Sequence, residues 1–250
     1  MNSIKGKTAL VTGGAKRIGR EIALGLAKKG ANIIVHYNTS KKDAEKTINE
    51  IKKLGVESWG IKADLSNIKH VKSLIERAIA KSGKIDFLVN NASVFNKSRL
   101  ETFDEKEFLR TIQINALAPL ILSKKFSLHT KKGSILNILD SRIKGIDIGH
   151  ISYFLSKKML RDITELLAVE MAPSITVNGL AIGFILDGKE KKPPLYNKII
   201  KRNLMNSLCL PAEVANAALF LLLNNSVTGE IFFLDKGETL KSYIYGKNKN

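Results

Sequence analysis

Short runs of β-branched and other apolar residues alternate along the chain with longer amphipathic stretches. The apolar runs predict seven strands, over residues 8–12, 33–36, 58–63, 86–90, 133–139, 175–178 and 231–234. Because these runs are apolar at nearly every position, we expect both faces of the sheet to be covered. Strands that alternate with helices in this way indicate parallel pairing through right-handed crossovers. The pattern therefore predicts an α/β fold with a doubly wound parallel sheet and helices on both faces.

Polar residues and glycines mark where the intervening helices begin and end. The predicted helices cover residues 17–29, 41–54, 67–82, 105–128, 151–171 and 211–223. Ser40, Ser66 and Asp104 precede three of these helices and are the expected N-caps. Gly30 is placed to end the first helix, and Pro211 suits the first turn of the last one.

We find no linker or internal repeat that would divide the chain, so residues 1–250 are expected to form one domain. The polar segment 187–197 contains two consecutive prolines and is predicted to be a loop or lid. It lies within a longer stretch, about 184–210, that we expect to be the substrate loop. Residues 241–250 are expected to form a C-terminal tail that is frayed at 247–250.

The composition is that of an ordinary globular protein, with 44% hydrophobic and 26% charged residues. The chain carries 41 Lys and Arg against 23 Asp and Glu, a formal net charge of +18. The lysines are scattered and alternate with acids on the predicted helices, and no nucleic-acid-binding motif accompanies them. We therefore interpret the charge as a solvated surface and expect no nucleic-acid partner. A positive field of this kind also attracts anionic ligands.

The chain lacks the signatures of membrane proteins and of disulfide-stabilised proteins. No apolar run approaches the roughly 20 residues needed to cross a bilayer, and the N-terminal apolar stretch is too short for a signal peptide. Cys209 is the only cysteine, which excludes an internal disulfide and fits a reducing compartment. We expect a cytoplasmic protein with no membrane partner.

A glycine-rich turn follows the first predicted strand directly. Residues 12–19 read TGGAKRIG and lead into the first helix. Glycines allow a tight turn and close approach of the backbone, and a helix N-terminus offers free N–H groups to a pyrophosphate. The position of the turn favours dinucleotide binding in a Rossmann-type fold over a plain strand–helix connection.

The end of the second predicted strand indicates which nicotinamide cofactor binds. An acid there binds a ribose 2′-hydroxyl, whereas a basic or hydroxyl-rich segment accepts a 2′-phosphate. Residues 36–42 read HYNTSKK, with no acid before Asp43. Arg17 and the lysines at 41 and 42 are candidates to hold the phosphate. This favours NADP(H) over NAD(H). The alternative is an exposed loop in which Ser40 only caps a helix.

Tyr153 and Lys157 are four residues apart, so they lie on one face of the predicted helix 151–171. A tyrosine has a pKa of about 10 in model peptides, and a neighbouring ammonium favours its phenolate. Such a pair can therefore exchange protons near neutrality. By spacing alone the pair is more often a surface coincidence, and it becomes informative only together with the other motifs.

Taken together, these motifs resemble the short-chain dehydrogenase/reductase superfamily along essentially the whole chain. The matching segments are the turn at 12–19, ADL at 63–65, NNA at 90–92, Asn115, Tyr153 with Lys157, and VN at 177–178. The resemblance implies that Tyr153 handles a proton, that Lys157 also holds the nicotinamide ribose, and that Asn115 supports a proton relay. It further implies that Asp64 lies beside the adenine.

Three departures from the common pattern resemble the pteridine reductases, including bacterial dihydromonapterin reductases. Arg17 replaces the central glycine of the turn, Asp140 replaces a serine before the tyrosine, and SVF at 93–95 stands where a glycine is usual. The resemblance implies that Phe95 stacks on a pterin, that Arg17 meets substrate and cofactor phosphate, and that Asp140 partners Tyr153. Alternatively, Phe95 is a core aromatic and Asp140 a loop cap. The usual proline after 177–179 is also absent, so the backbone over the nicotinamide is expected to differ.

The predicted site residues form three overlapping sets. The catalytic set is Tyr153, Lys157, Asp140 and Asn115. The cofactor-binding set is Gly13, Arg17, Ile18, His36, Tyr37, Asn38, Ser40, Asp64, Leu65, Asn91, Ala92, Ser93, Tyr153 and Lys157. The substrate-binding set is Arg17, Ser93, Phe95, Asp140 and Tyr153. No metal site is predicted.

The resemblance thus implies an NADPH-dependent oxidoreductase that reduces a dihydropterin, of the dihydromonapterin, dihydrobiopterin or dihydrofolate type, to the tetrahydropterin. The alternative is a carbonyl or 3-oxoacyl-thioester reductase of the same superfamily. Asp140 argues against it, because a carboxylate does not stabilise a developing oxyanion unless it is protonated. A more remote alternative is a non-catalytic nucleotide- or RNA-binding protein, against which the intact Tyr153–Lys157 pair and Asn115 argue. Family resemblance also suggests a homotetramer.

Overall fold

The computed structural model describes residues 4–185 and 196–241, together with the backbone of 244–245. The predicted loop at 187–197 lies outside the described residues up to residue 195. The frayed tail at 247–250 lies outside them entirely.

Seven parallel strands form one sheet. The strands are β1 (Thr8–Val11), β2 (Asn32–Tyr37), β3 (Ser58–Lys62), β4 (Phe87–Asn90), β5 (Gly133–Asp140), β7 (Ile175–Ile182) and β8 (Ile231–Leu234). They are arranged in the order β3-β2-β1-β4-β5-β7-β8. A separate parallel pairing joins β6 (Ile146–Asp147) to β9 (Ile244–Tyr245). The Rossmann-like, all-parallel seven-stranded fold predicted from the hydrophobic pattern is confirmed.

Helices connect the strands and cover both faces of the sheet. They are α1 (Arg17–Lys28), α2 (Lys41–Lys52), α3 (Ile68–Ser82), α4 (Glu105–Ile112), α5 (Ala118–His129), α6 (Ile151–Met171), α7 (Tyr196–Ile200), α8 (Pro211–Leu223) and α9 (Glu238–Lys241). Within residues 4–185 and 196–241, no helix is both long and apolar enough to cross a membrane.

The sheet separates two hydrophobic cores. In β1, Ala9 and Val11 pack with α1, α2 and α8 in one core, whereas Leu10 packs with α3 and α5 in the other. Every residue of β1 is buried. Because side chains of a strand alternate between its faces, burial on both sides explains why β1 reads as an uninterrupted apolar run.

The helix caps agree only in part with the sequence analysis. Asp104 caps α4, since its carboxylate accepts a hydrogen bond from a backbone N–H in the first turn. The cap of α3 is Asn67 and not Ser66. The Asn67 side chain accepts from two backbone N–H groups, whereas Ser66 donates back to Asp64. Ser40 stands at the N-cap position of α2 but makes no side-chain capping bond.

The helix predicted over 105–128 is divided in the structure. α4 ends at Ile112, a π-helical turn covers residues 113–117, and α5 begins at Ala118. A π turn inserts one residue into a helix and leaves the apolar pattern nearly continuous, so periodicity does not reveal it. Such turns are frequent at functional sites, and this one carries Asn115, which is fully buried.

The carboxyl ends of the strands meet at one edge of the sheet, and the strand order reverses between β1 and β4. Ligands of doubly wound sheets bind outside this edge, at the point of reversal. The turn at 12–19 follows β1, residues 91–95 follow β4, and Asp140 ends β5. The fold therefore brings the sequence motifs to one place.

Candidate active site

Tyr153 and Asp140 are joined directly at the carboxyl end of β5. The Tyr153 hydroxyl, in the first turn of α6, donates a hydrogen bond of 2.9 Å to Asp140 Oδ2. Asp140 Oδ1 accepts a second hydrogen bond, of 2.8 Å, from the backbone N–H of Arg142. Asp140 is therefore both a loop cap and the partner of the tyrosine.

The environment of Tyr153 keeps its phenol protonated. Burial raises the pKa of Tyr153 well above its usual range, and the Asp140 carboxylate raises it further through its charge and its hydrogen bond. The positive charge of Arg142 acts in the opposite direction but does not reverse the shift. At neutral pH Tyr153 therefore holds its proton more firmly than an exposed tyrosine does, and the phenolate-favouring effect expected of Lys157 does not outweigh burial and Asp140.

Lys157 lies one helical turn beyond Tyr153 on α6. Its ammonium donates a 2.7 Å hydrogen bond to the carbonyl oxygen of Ile138 and lies 5.7 Å from the centroid of the Tyr153 ring. Burial lowers the pKa of Lys157 to about 8, with Asp140 partly offsetting that effect. Lys157 is therefore charged at neutral pH and titrates just above it.

Asn115 is bonded to the backbone and to α6. Its side-chain amide donates to the carbonyl oxygen of Val94 and to the Ser156 hydroxyl, each at 3.0 Å, and accepts from the Val94 N–H at 2.9 Å. Among the described residues it makes no hydrogen bond to Tyr153 or Lys157. The proton relay expected of Asn115 stays a prediction.

Phe95 is the centre of an aromatic wall formed by Phe95, Tyr153 and His150. The Phe95 and Tyr153 rings meet edge to face, with centroids 4.6 Å apart and planes at 83°. The His150 ring stacks on Phe95 at 4.2 Å with an interplanar angle of 20°. Phe95 keeps 49% of its surface exposed, so it is not a core residue. An exposed aromatic beside the tyrosine can stack on a flat ligand.

The buried carboxylate of Asp147 lies behind this wall. Its side chain is 1% exposed and pairs with the Arg142 guanidinium at 2.8 Å and with His150 Nδ1 at 3.0 Å. It also accepts from the backbone N–H of Gly149 at 2.9 Å. Arg142 lies 5.2 Å from the centroid of the Phe95 ring. Asp147 therefore contacts the wall through His150, and Arg142 contacts it through Phe95.

No sequence motif singles out Arg142, Asp147 or His150. His150 precedes Tyr153 by three residues, which was a signal that it lies near the same helix terminus. The approach of Arg142 and Asp147 depends on the 3₁₀ turn at Ser141–Lys144 and has no signal in local spacing.

The turn at 12–19 is a close-packed backbone cradle. Gly13 has φ +63°, and a Cβ added at Gly19 would come within 2.3 Å of the Gly13 carbonyl oxygen and 2.4 Å of Asn91 Nδ2. Asn91 Nδ2 donates to the Thr12 carbonyl at 2.9 Å, and the Thr12 hydroxyl accepts from the N–H of Ala92 at 3.0 Å. A turn held this way presents backbone rather than side chains, which fits a pyrophosphate.

His36 acts within the fold. Its Nδ1 accepts a 3.1 Å hydrogen bond from the Gly13 N–H, and its Nε2 lies 3.1 Å from the Ala63 carbonyl oxygen. Burial lowers the pKa of His36 to about 4. The neutral ring therefore joins β2 and β3 to the turn, and any contribution to cofactor binding comes through the placement of Gly13.

The remaining predicted cofactor residues follow the carboxyl ends of β2, β3 and β4 or flank the turn. Their exposure differs: Asn38 and Ser93 are exposed, Ile18, Tyr37, Ser40, Asp64, Asn91 and Ala92 are half-buried, and Leu65 is buried. Exposed and half-buried side chains here can reach a ligand. Buried Leu65 contributes through packing.

Arg17 begins α1 in a left-handed conformation, with φ +49°. That conformation strains a residue with a Cβ and favours glycine. The Arg17 side chain is exposed and has no hydrogen-bond or ion-pair partner in the described part of the chain. It lines a cleft of about 760 Å³ between α1, α2 and the start of α8. A second cavity, of about 360 Å³, lies at the amino ends of the strands, away from Tyr153.

Comparison with known proteins identifies the family. The family model described as enoyl-(acyl carrier protein) reductase matches residues 13–239. The 3-oxoacyl-[acyl-carrier-protein] reductase FabG of Staphylococcus epidermidis is 31% identical over 239 residues, which cover 92% of this chain and 98% of that protein. The chain belongs to the short-chain dehydrogenase/reductase superfamily. It is an oxidoreductase, as the motifs predicted.

Solved structures of this superfamily superpose closely on the protein. FolM alternative dihydrofolate reductase 1 from Brucella canis, complexed with NADP, is 30% identical, with a TM-score of 0.88 and 96% of each chain covered. The angucycline C-6 ketoreductase LanV, with bound NADP, is 28% identical, with a TM-score of 0.88 and coverage of 96% of this chain and 98% of LanV. The superfamily thus includes similar structures that are named for different substrates.

Proposed function

We propose that the protein is an NADPH-dependent reductase of a dihydropterin, of the dihydromonapterin, dihydrobiopterin or dihydrofolate type. The observation that carries this proposal is the 2.9 Å hydrogen bond from Tyr153 to Asp140. A carbonyl reductase needs its tyrosine hydroxyl to donate to the substrate oxygen, whereas this hydroxyl already donates to a carboxylate. A pterin ring presents N–H donors, and a carboxylate is suited to accept from them.

The residues of the turn fit NADP. Gly13 and Gly19 leave the backbone accessible, and the exposed Arg17 lies at the N-terminus of α1, where helix N–H groups favour an anion. The segment after β2 lacks an acid that would repel a 2′-phosphate. The NADP in the Brucella canis relative supports the same choice. When bound, NADPH supplies the hydride for the pterin ring.

The part played by the protein is to hold a flat ring and supply a proton. Tyr153 remains protonated because of its burial and of Asp140, so the pair carries a proton at neutral pH. Reduction of a dihydropterin places a hydride on C6 and a proton on N5. The Tyr153–Asp140 pair is the group in this site that can deliver that proton, directly or through water.

Phe95 would provide the surface against which the pterin lies, on the face of the Phe95 ring that His150 does not cover. It is half exposed, and its ring adjoins Tyr153. Aromatic stacking contributes roughly 0.5–1.5 kcal/mol beyond the burial of apolar area. A ring stacked there would lie beside the proton donor, and holding the reacting atoms in place is a large part of catalysis.

A carbonyl or 3-oxoacyl-thioester reductase is the second candidate function. The 31% identity to FabG and the likeness to LanV favour it, because the first is named as a 3-oxoacyl-[acyl-carrier-protein] reductase and the second as a ketoreductase. Lys157 lies beside Tyr153 as that chemistry also requires. The Asp140 carboxylate opposes it, since an oxyanion that develops on the substrate would meet a like charge.

The decisive experiment is an NADPH-oxidation assay on the purified protein with four substrates. These are dihydromonapterin, dihydrobiopterin, dihydrofolate and a 3-oxoacyl thioester. We expect kcat/KM to be highest for one of the three pterins. Activity on the thioester with none on any pterin would replace the proposal by the second candidate. Salt-sensitive RNA binding without NADPH oxidation would point to the non-catalytic alternative.

We also propose a homotetramer built through the helices that follow β4 and β5. Several large apolar side chains of this part of the chain are exposed in the single chain: Leu109, Leu117, Leu128, Leu155, Met159, Leu166 and Val169. Exposed apolar side chains concentrated on a few helices are typical of an interface. Light scattering coupled to size-exclusion chromatography tests this, and a monomer at micromolar concentration would contradict it.

A further inference from the structure

Arg142 is bonded to Asp140, the partner of Tyr153, and to Asp147, the partner of His150. It lies in the 3₁₀ turn Ser141–Lys144, immediately after β5. Its backbone N–H donates to Asp140 Oδ1 at 2.8 Å, and its Nε lies 3.8 Å from the same oxygen. Its Nη1 donates to Asp147 Oδ2 at 2.8 Å. Arg142 thus links Asp140, which accepts the hydrogen bond of Tyr153, to Asp147, which lies beside the aromatic wall.

Asp147 holds the imidazole of His150 in place. The Asp147 side chain is 1% exposed and accepts from His150 Nδ1 at 3.0 Å. Because Nδ1 is held, the imidazole stays in the plane that stacks on Phe95 at 4.2 Å. A carboxylate this deeply buried needs its cation, since removal of one partner of a buried pair leaves an uncompensated charge.

The guanidinium of Arg142 also acts on the wall and on the C-terminal helix. It lies 5.2 Å from the centroid of the Phe95 ring, within the range of a cation–π interaction. Burial raises the pKa of Glu238 in α9, and the positive charges of Arg142 and Arg202 oppose that shift. Arg142 is thus paired with the carboxylates of Asp140 and Asp147, and its charge also favours the ionised form of Glu238.

We propose that Arg142 is a positioning residue that holds Asp140 and the Phe95–His150 stack in one arrangement for the dihydropterin. This inference rests on the proposed function. Arg142 acts through Asp140 on the Tyr153 proton and through Asp147 and His150 on the ring wall. A planar guanidinium suits this task because it can face two carboxylates at once, which an ammonium does less well.

Three variants test the proposal. Arg142→Gln removes the positive charge, and Arg142→Lys keeps the charge but loses the planar guanidinium. Arg161→Gln is the matched control. Arg161 lies on α6 in an exposed ion pair with Glu165. For Arg142→Gln we expect kcat for dihydropterin reduction to fall between about tenfold and 100-fold, as misplacement of reacting groups does. We expect NADPH affinity to change less than about twofold, partial recovery in Arg142→Lys, and wild-type kinetics in Arg161→Gln.

A second measurement reports position directly and does not depend on activity. The chain has four histidines, so the ring resonances of His150 can be assigned by NMR with a His150→Asn variant. Stacking on Phe95 shifts those resonances through the ring current. In Arg142→Gln we expect them to move towards the values seen in Phe95→Ala, whereas Arg161→Gln leaves them in place.

The outcomes separate this inference from the proposed function. Wild-type kcat and unmoved His150 resonances in folded Arg142→Gln would overturn the positioning role. If Arg142→Gln does not fold, Arg142→Lys decides by the same two measurements. If the native protein reduces no dihydropterin, the proposed function fails, and the NMR comparison alone then decides whether Arg142 holds the stack. Moved resonances would support that role, and unmoved ones would overturn it.

Discussion

The Tyr153 hydroxyl and the Asp140 carboxylate are 2.9 Å apart, and the tyrosine is the donor. Asp140 is fixed from its other oxygen by the backbone N–H of Arg142. Burial raises the pKa of Tyr153, and Asp140 adds to that effect. The geometry and the electrostatics of the pair therefore agree, since both keep a proton on the phenol at neutral pH.

Asp140→Ser should lower dihydropterin kcat/KM at least about tenfold, a loss of about 1.4 kcal/mol of transition-state stabilisation. A serine hydroxyl can donate to an oxyanion, but it does not provide a carboxylate for the N–H groups of a pterin. The affinity for NADPH should be nearly unchanged. Steady-state kinetics and a cofactor titration measure the two effects.

The matched control for Asp140→Ser is Glu57→Ser, because Glu57 is an exposed acid just before β3, at the amino end of the sheet and away from Tyr153. Glu57→Ser should retain wild-type kinetics. Full pterin activity in folded Asp140→Ser would remove the main argument for a pterin substrate.

Phe95→Ala should weaken dihydropterin binding by up to about tenfold, since the stacking energy of an aromatic face is of the order of 1 kcal/mol. NADPH binding should change little. The control is Phe232→Ala on β8, a phenylalanine that is 39% exposed at the far edge of the sheet. Equal dihydropterin dissociation constants in the two folded variants would show that Phe95 is not the stacking surface.

The strands and the family motifs could be predicted from sequence because they depend on local pattern. β1 is apolar throughout since both its faces are buried, and the turn at 12–19 follows it directly. The resemblance to the pteridine reductases, and not local pattern, implied that Asp140 partners Tyr153, and the hydrogen bond between them agrees with it. These features follow from periodicity, turn chemistry and the resemblance to a family.

The remaining features depend on three-dimensional contacts that local pattern does not encode. The π turn around Asn115 adds one residue without breaking the apolar pattern. The pairing of Arg142 with Asp147 follows from the path of a short turn after β5. His36 shows the opposite difficulty. Its position at the end of β2 predicted a residue that binds the cofactor, whereas both its ring nitrogens lie within hydrogen-bonding distance of backbone groups.

Arg17→Gly should separate stability from cofactor preference. Arg17 has φ +49°, a conformation that costs a residue with a Cβ roughly 1–2 kcal/mol. Glycine relieves that strain. It also raises the conformational entropy of the unfolded chain, which offsets up to about 1 kcal/mol of the gain in stability. The free energy of unfolding should therefore stay equal or rise by up to about 1 kcal/mol. The ratio of kcat/KM for NADPH over NADH should fall about tenfold or more, because a charge-assisted contact is lost.

Arg17→Ala is the control, since alanine removes the charge and keeps the strain. Both variants should lose preference for NADPH, and Arg17→Gly should be at least as stable as Arg17→Ala in urea unfolding, because only glycine relieves the strain. A native enzyme that uses NADH as efficiently as NADPH would contradict the cofactor assignment. An unchanged ratio in both variants would remove Arg17 from the phosphate site.

NADPH affinity should weaken as pH rises through about 8. Burial lowers the pKa of Lys157 to about 8, so the ammonium expected to hold the nicotinamide ribose loses its proton above that value. The charged form is the stronger hydrogen-bond donor, and the dissociation constant should therefore rise above pH 8, by at most about tenfold per pH unit. Fluorescence titrations between pH 6.5 and 9.5 would measure it. Lys157→Arg stays charged and should show a flat profile. A flat profile in the native enzyme would contradict the assignment.

Acid should destabilise the protein through His36. Burial lowers the pKa of His36 to about 4 in the folded chain, whereas an exposed histidine has a pKa of about 6.5. Below pH 6.5 His36 therefore binds a proton in the unfolded chain but not in the folded one, until the pH nears 4. Stability is lost as pH falls from 6.5 through 4, by about 2 kcal/mol at pH 5 and about 3 kcal/mol in total.

Urea unfolding of the native protein and of His36→Gln at pH 7, 6 and 5 measures this loss. Glutamine does not titrate, so the variant should start less stable at pH 7, because the bonds to Gly13 and Ala63 are altered, but lose about 2 kcal/mol less than the native protein by pH 5. His129→Gln is the control, since that side chain is 40% exposed and lies outside the turn. If the native protein and His36→Gln lost stability in parallel, the buried ring could not be the group that resists protonation, and its role in holding the turn would have to be carried by another contact.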